Sequence, residues 1–504
     1  MRLVNCSRVV FLGISTIMLA GASAWGGERA VEKWVARYDR DSDYATAMAI
    51  DDSCNVYVSG MSWGPSDCCC VTIKYDSDGN ELWAAWYAAS GETPVIAVDD
   101  SCNVYVATTM FGDYATIKYD ANGTEVWVAR YDGPGNGTDH PLAIAVDGWG
   151  NVYVTGESWG SGTWFDYATI KYGPDSNEPV WVARYNGTAN GVDTPYAITI
   201  DDSGSVFVTG QSGPLLGHND YATVKYDSNG KEVWVATYNG PANDDDSATA
   251  IALDDSGNVY VTGGSCGTGT YEDYVTIKYG PDSNAPVWVA RYNGPGNSTD
   301  WATAITVDDS GNVYVTGGST GAGADWDYAT IKYSSDSNEP LWVARYEGPG
   351  NSTDWARAMA LDNSGNVYVT GDSRGSDTDE DCATIKYGPD SNAPVWIARY
   401  NGPANGHDSG RAVGTDDANN VYVTGSSVGN GTEGDYATIK YVQCTQVGDI
   451  DCDGDVDFGD YAVLGEYWRE SNCGECGWAD LDDNETVDYN DLKELSDNWL
   501  QGKT

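Results

Sequence analysis

One pattern recurs eight times at near-constant spacing, in a phase that lets the first segment complete the last copy, and this predicts an all-β fold: a closed wheel of eight four-stranded antiparallel blades. Each copy reads as an apolar run ending in Asp, then Asn-Val-Tyr-Val, then Thr-Ile-Lys-Tyr, then Trp-Val-Ala-Arg-Tyr, lettered here strands A to D. The strand B anchors Tyr57, Tyr105, Tyr153, Phe207, Tyr260, Tyr314, Tyr368 and Tyr422 lie 48, 48, 54, 53, 54, 54 and 54 residues apart, enough for four strands and their turns. A lone strand D, Trp34 to Tyr38, precedes the first copy, and the last copy ends at Tyr441 without one. Pairing the two ends shuts the ring and removes the open β edges that an unclosed array would expose.

Each segment supports its strand locally. Val, Ile, Thr, Tyr and Trp alternate over five to seven residues between clusters of Gly, Asp, Asn and Ser. In Val307-Asp308-Asp309-Ser310-Gly311-Asn312-Val313 the glycine supplies the positive backbone angle of a hairpin, as Gly230 does in Asp227-Ser228-Asn229-Gly230. Ala-Ile-Thr-Val-Asp-Asp-Ser-Gly-Asn-Val-Tyr-Val-Thr-Gly at 304–317 resembles the SBBP-type β-propeller repeat, a resemblance that spans roughly residues 34 to 441 and implies a propeller without implying one activity.

Antiparallel order places the D-to-A and B-to-C loops on one face. Asp43, Asp139, Asp193, Asp246, Asp300, Asp354 and Asp408 precede strand A, and Asp113, Asp166, Asp220, Asp273, Asp327, Asp381 and Asp435 open strand C, so a carboxylate-rich crown is expected there. Trp63, Trp159, Trp164, Tyr271, Trp301, Trp326 and Trp355 share these loops. Rings beside carboxylates can hold a sugar, with Asp300, Trp301, Trp326, Asp327, Asp354 and Trp355 as the candidate ligand set. The competing reading is that the acids satisfy turn N–H groups and the rings pack between blades. Lysines at one strand C position and arginines at one strand D position account for fourteen of the 26 cations, and they are expected to pair with acids across strands or between blades.

Material for catalysis is thin. His140, His218 and His407 are the only histidines, none at ligand spacing from another His or a Cys, and 76 acidic residues make any carboxylate pair uninformative, so no catalytic residue is named. The net charge of -50 makes the long-range field repulsive toward phosphate backbones and anionic membranes, so nucleic acid is not expected as a partner.

The chain opens with Arg2 and Arg8, an apolar run from Val9 to Ala20 and Ala22-Ser23-Ala24, which reads as a signal peptide over residues 1–24. That run is too short to span a bilayer, and no later one is long enough, so a secreted or cell-surface protein without membrane insertion is expected. Local disulfides are expected among Cys444, Cys452, Cys473 and Cys476, whereas Cys68-Cys69-Cys70 has no evident role.

The propeller is expected over residues 25–441. Beyond it, in residues 442–504, Asp449, Asp451, Asp453, Gly454, Asp455, Val456, Asp457 and Asp460 occupy positions 1, 3, 5, 6, 7, 8, 9 and 12 of a calcium loop. Asp480, Asp482, Asn484, Val487, Asp488 and Asp491 repeat the register 31 residues later, with Glu485 in place of the glycine. Helices are expected at Tyr461–Trp468 and Leu492–Leu500. Two such loop-helix units resemble a type I dockerin, which implies two calcium sites and docking onto a cohesin-type protein or cell-surface scaffold. Phe458-Gly459 and Tyr489-Asn490 stand where many dockerins carry the residues that read the cohesin. The leading expectation is therefore a monomeric secreted binding or structural propeller, docked by its calcium module, in a setting of polysaccharide degradation. The alternative is a glycoside hydrolase or polysaccharide lyase with its site on the loop face.

Overall fold

The computed structural model describes residues 28–40, 42–64, 68–90, 93–323, 325–376, 378–444, 448–450, 452, 456–466, 468–469, 479, 481 and 486–498. The expected leader and the calcium-loop residues Asp451, Asp453, Asp455, Asp480, Asp482 and Asn484 lie outside them. Eight four-stranded antiparallel sheets form the blades, each running A to D outward from the axis. The eighth is composite: Arg29–Tyr38 supplies its strand D and pairs with Asp435–Cys444, from Arg29 opposite Cys444 to Tyr38 opposite Tyr436. Ring closure by the leading strand is thus observed, and strand C continues three residues beyond Tyr441.

Both faces of a blade are buried against its neighbours, so the core is divided among the blade interfaces. One cluster joins Tyr314 and Ala344 of blade 6 to Ala356, Val367 and Ile385 of blade 7. Polar contacts follow the same period. The strand D Trp342 ring wedges between Tyr314 of its own blade and Tyr387 of the next, each 6.0 Å away, while its indole N–H donates to Pro389 O at 3.3 Å. Tyr328 of strand C donates to Ala383 O across the same interface at 3.3 Å. A Cβ on Gly371 would come within 2.9 Å of that Tyr328 oxygen and 2.0 Å of a backbone carbonyl, so the glycine after Val-Tyr-Val-Thr is required by close approach. Near the axis a bulge in strand A frees Thr303 to share its hydroxyl proton between Thr316 O of its own blade and Ala356 O of the next, at 3.2 and 2.9 Å.

The repeated cations divide by type. Arg37, Arg184, Arg291, Arg345 and Arg399 pair with Asp435, Asp166, Asp273, Asp327 and Asp381 at 2.6–2.8 Å, as expected. The lysines correct the expectation. Lys74 lies 3.5 Å from Asp51 and Lys386 pairs with Glu28, but Lys118, Lys225, Lys278, Lys332 and Lys440 donate to carbonyls of the next blade's C–D turn. Each of these ammonium groups also lies over a strand B ring, 4.9 Å for Lys332 on Tyr314. The reason is positional: a strand C lysine emerges beside that ring and within reach of a turn carbonyl, which for Lys332 is the Pro389 O that also accepts from the Trp342 indole.

The same comparison explains the cysteine run. In the alignment of blades, Cys69 stands at the strand C aspartate and Cys70 at the strand C tyrosine, and Trp86 replaces the strand D arginine. Both halves of the Arg–Asp pair are therefore missing from blade 1 together, which spares that interface an unpaired buried carboxylate.

After the last blade, Cys444 and Cys452 form a disulfide, and two helices follow, α1 (Phe458–Glu466) and α2 (Tyr489–Asp497). They share a small core of Ile450, Val456, Leu464, Ala479, Val487 and Leu495. Both helices begin three residues before the expected start. Asp457 and Asp488 cap them, accepting from Gly459 N at 2.8 Å and Asn490 N at 2.7 Å, so loop positions 9 and 12 double as the N-cap and third residue of each helix.

Candidate functional site

The D–A loops are built around their aspartates. Asp43, Asp139, Asp193, Asp300, Asp354 and Asp408 are fully buried and Asp246 is 1% exposed, which corrects the expectation of an open carboxylate crown. In six of the eight copies strand D leads into an Asn-Gly, Asp-Gly or Glu-Gly pair whose glycine N–H donates to this carboxylate, as Gly294 does to Asp300 at 2.6 Å and Gly348 to Asp354 at 2.7 Å; Arg40 N takes that part for Asp43. The second oxygen accepts from the end of strand B, Thr320 N for Asp300 at 3.0 Å and Arg374 N for Asp354 at 3.1 Å. A Cβ at Gly348 would fall 2.3 Å from Ser373 Oγ, so the loop closes only over glycine. Burial raises the pKa of Asp300 and Asp354, against the lowering effect of those bonds, and pushes Asp408 up to about 6. Asp327 is spent on Arg345 at 2.6 Å. Of the six candidate ligand residues, the three acids thus hold loops and strands together.

The three tryptophans are half-buried at the same rim. Trp326 and Trp355 are brought together, ring centroids 4.5 Å apart, while Trp301 lies over Gly264, where any Cβ would meet its ring at 2.5 Å. Trp355 occupies the corresponding space over Gly318. Trp63, Trp164 and Tyr271 are more open, 45%, 41% and 67% exposed, on the same loop face.

Sequence reasoning missed the acids of the opposite face. In every A–B turn the first aspartate accepts from backbone N–H groups two and four residues on; Asp51, for example, bonds Ser53 N, Asn55 N, the Asn55 amide and Tyr57 Oη. Asp52, Asp100, Asp202, Asp255, Asp309 and Asp417 follow these and are exposed, so the open carboxylates ring the far mouth of the wheel. The signal was present as the Asp-Asp that recurs in six of the eight A–B turns. His140 bonds Thr109 and lies beside the Phe165 ring, His407 pairs with Glu380, and the exposed His218 faces both Asp244 at 2.7 Å and Asp245 at 3.8 Å.

In the C-terminal unit, Asp460 and Asp491 are fully buried and hold matching positions. Asp460 accepts from Ile450 N and from Asp457 N, the latter at 2.6 Å; Asp491 accepts from Leu481 N at 2.6 Å and Asp488 N at 2.7 Å. Val456 and Val487, both at loop position 8, are completely buried in the shared core. Asp449 is 4% exposed, and its carbonyl accepts from Arg29, the first residue of the ring-closing strand. Burial lowers the Arg29 pKa to about 10 despite Asp449 and Asp460 nearby.

These features define an eight-bladed β-propeller with an appended two-helix unit. Residues 287–323 and 341–377 match the model of the SBBP beta-propeller repeat, each stretch running from strand D of one blade through strands A and B of the next. No curated protein matches the chain. Among solved structures, Sqt1 of Chaetomium thermophilum is similar at 12% identity and TM-score 0.54, covering 83% of this chain and 99% of that one. The quinohemoprotein alcohol dehydrogenase of Comamonas testosteroni is similar at 13% identity and TM-score 0.52, over 83% of this chain and 76% of that one. The quinohemoprotein alcohol dehydrogenase ADHIIG of Pseudomonas putida HK5 gives 12% identity and TM-score 0.53, over 82% and 76%. At such identities the likeness concerns the fold alone.

Proposed function

We propose that this is an exported, non-catalytic binding propeller. Its D–A and B–C loop face holds carbohydrate, and its C-terminal unit binds two calcium ions and docks onto a cohesin-type partner. The supporting observation is the duplicated geometry at Asp460 and Asp491: two loops present a buried position-12 carboxylate in the same hydrogen-bond frame, with a buried valine at position 8 of each. An all-oxygen donor set with a carboxylate closing the loop from the first helical turn suits a hard cation of calcium's size. Asp449, Asp451, Asp453, Asp455, Asp457 and Asp460 would hold one ion, and Asp480, Asp482, Asn484, Asp488 and Asp491 the other. Calcium would supply cross-linking of loop to helix. The chain's own contribution is to fix the two helices against each other through Leu464 and Leu495, so that their outward residues form one docking surface. The Cys444–Cys452 disulfide accords with an oxidising compartment and therefore with export.

Calorimetry of the full chain is expected to show two calcium ions bound, one lost in Asp460→Ala and the other in Asp491→Ala. Absence of uptake by the unaltered chain ends the calcium reading and the docking that depends on it. Incubation with a polysaccharide panel is expected to show retention without new reducing ends, and their appearance would replace the binding reading by a carbohydrate-active enzyme.

A further inference from the structure

The eight copies are near-identical in the strands but differ where strand B of one blade meets strand A of the next at the loop-face rim. At the 5/6 interface Gly264 lies under Trp301, and at the 6/7 interface Gly318 lies under Trp355. At the 7/8 interface the corresponding residues are Asp372 and Ser409. Three further positions change with them. Cys382 replaces the tyrosine that crosses the 5/6 and 6/7 interfaces as Tyr274 and Tyr328, Gly410 stands where blades 6 and 7 carry Ala302 and Ala356, and Arg411 stands where blades 5 and 6 carry Thr249 and Thr303. Trp to Ser and Tyr to Cys both remove side-chain volume, and the replacements bring charge into the space.

That charge is incompletely matched. Arg357, the blade 7 counterpart of Arg411, donates to Asp372 Oδ2 through Nε at 2.8 Å and Nη2 at 2.5 Å. Asp372 is 6% exposed and its other oxygen, Oδ1, has no hydrogen-bond partner; Ser409 is 3% exposed and its Oγ has none either. Arg411 is half-buried, and among the described residues no hydrogen bond or ion pair engages it. Burial and then the Arg357 charge lower its pKa, and the nearby Asp372 and Glu380 carboxylates offset this only in part. Uncompensated buried groups of this kind cost stability unless something fills the site. The Trp355 ring flanks it, with the Arg357 guanidinium 6.0 Å from the ring and Trp326 against it on the other side.

We propose that the 7/8 rim is a subsite for a carboxylate-bearing sugar, a uronate residue of an acidic polysaccharide: Arg411 takes the carboxylate, Asp372 Oδ1 and Ser409 Oγ take ring hydroxyls, and Trp355 lines the sugar face. This deepens the carbohydrate reading above and rests on it. A ligand with an anion and hydroxyls on one ring satisfies all three unmatched groups at once; a bare anion would leave Asp372 Oδ1 without a donor, and a neutral sugar would leave Arg411 unpaired.

The full chain is titrated in calcium with an oligogalacturonate, a neutral gluco-oligosaccharide of equal length and a sulfated oligosaccharide, by calorimetry. Binding of the uronate is expected, weakened roughly tenfold or more by Arg411→Gln through loss of a charge-assisted pair. The double variant Asp372→Gly with Ser409→Trp rebuilds the residues of the two preceding interfaces. It is expected to abolish uronate binding while keeping the thermal midpoint at or above that of the parent, which separates loss of the site from loss of fold. Neutral sugar bound equally well and unaffected by Arg411→Gln overturns the anion subsite and leaves the carbohydrate reading standing. Preference for the sulfated sugar overturns the carboxylate assignment, and failure of all three ligands overturns the subsite and the carbohydrate reading together.

Discussion

The two faces of the wheel carry the same side chain to opposite effect. On the loop face, Asp300, Asp354 and Asp408 have no solvent contact, and burial outweighs their hydrogen bonds, so their pKa values rise. On the turn face burial also raises Asp51 and Asp254, but donors dominate: Asn55 and Tyr57 with Lys74 for the first, Asn258 and Tyr260 with Lys278 for the second, and both end below the ordinary value. The difference lies in the number of donors offered per carboxylate and in access to water. An aspartate in a repeat therefore has no fixed meaning until its loop is closed around it.

The sharpest way to break this comparison is truncation on each face. Asp354→Ala leaves Gly348 N and Arg374 N without an acceptor inside a closed loop, and a loss of about 2–4 kcal/mol is expected in denaturant unfolding. Asp254→Ala removes bonds to Ser256 N, Asn258 N and Tyr260 Oη, but water can reach much of the turn, and about 1–2 kcal/mol is expected. Equal losses would show that burial does not separate the faces.

Titration sharpens the same contrast. Asp408, at about 6, and the burial-raised Glu32, at about 7, bind protons more readily folded than unfolded, as do Asp300 and Asp354 in direction. A raised acid makes the unfolded state the poorer proton binder, so stability rises as pH falls through these values and is fully gained below the unfolded pKa near 4. Asp51 and Asp254 act oppositely: their stabilisation is present above that value and is lost as pH falls through their depressed pKa values. The thermal midpoint is therefore expected to climb from pH 8 to about 5 and to fall below about 3.5. A midpoint that declines steadily from pH 7 downward would contradict the loop-face assignment. Asp408→Asn should flatten the rise near pH 6 and leave the acid limb unchanged.

The blade count, the strands and the closure by Trp34 to Tyr38 were legible because each rests on periodicity, which survives without coordinates. Burial of the loop-face acids was not, because alternation marks the two sides of a strand, and in a propeller both sides face a neighbouring blade. The calcium register of Asp460 and Asp491 was read from spacing alone, yet their role in capping α1 and α2 appeared only with the backbone. The 7/8 rim was open to sequence in principle. Aligning the eight copies column by column shows which columns vary, with Gly264 and Gly318 against Asp372, and Thr249 and Thr303 against Arg357 and Arg411, whereas attention to what recurs led to Asp300 and Asp354. Recurrence identifies scaffold, and departure from it identifies candidates for recognition.

The smallest expected effect concerns the exposed second aspartates of the turn face. Asp255 and Asp309 are open to solvent, so removing one costs no buried partner. What remains is like-charge repulsion within a ring of six such residues on a chain of net charge -50. Asp255→Asn and Asp309→Asn should each stabilise slightly, by about 0.5 kcal/mol or less, since exposed charges interact weakly in water. The gain should vanish in 0.5 M salt, where the screening length falls to roughly 4 Å, shorter than the separation of adjacent turns. A destabilisation that persists in salt would mean that these carboxylates hold something in place, and the turn face would then have to be read as the loop face is.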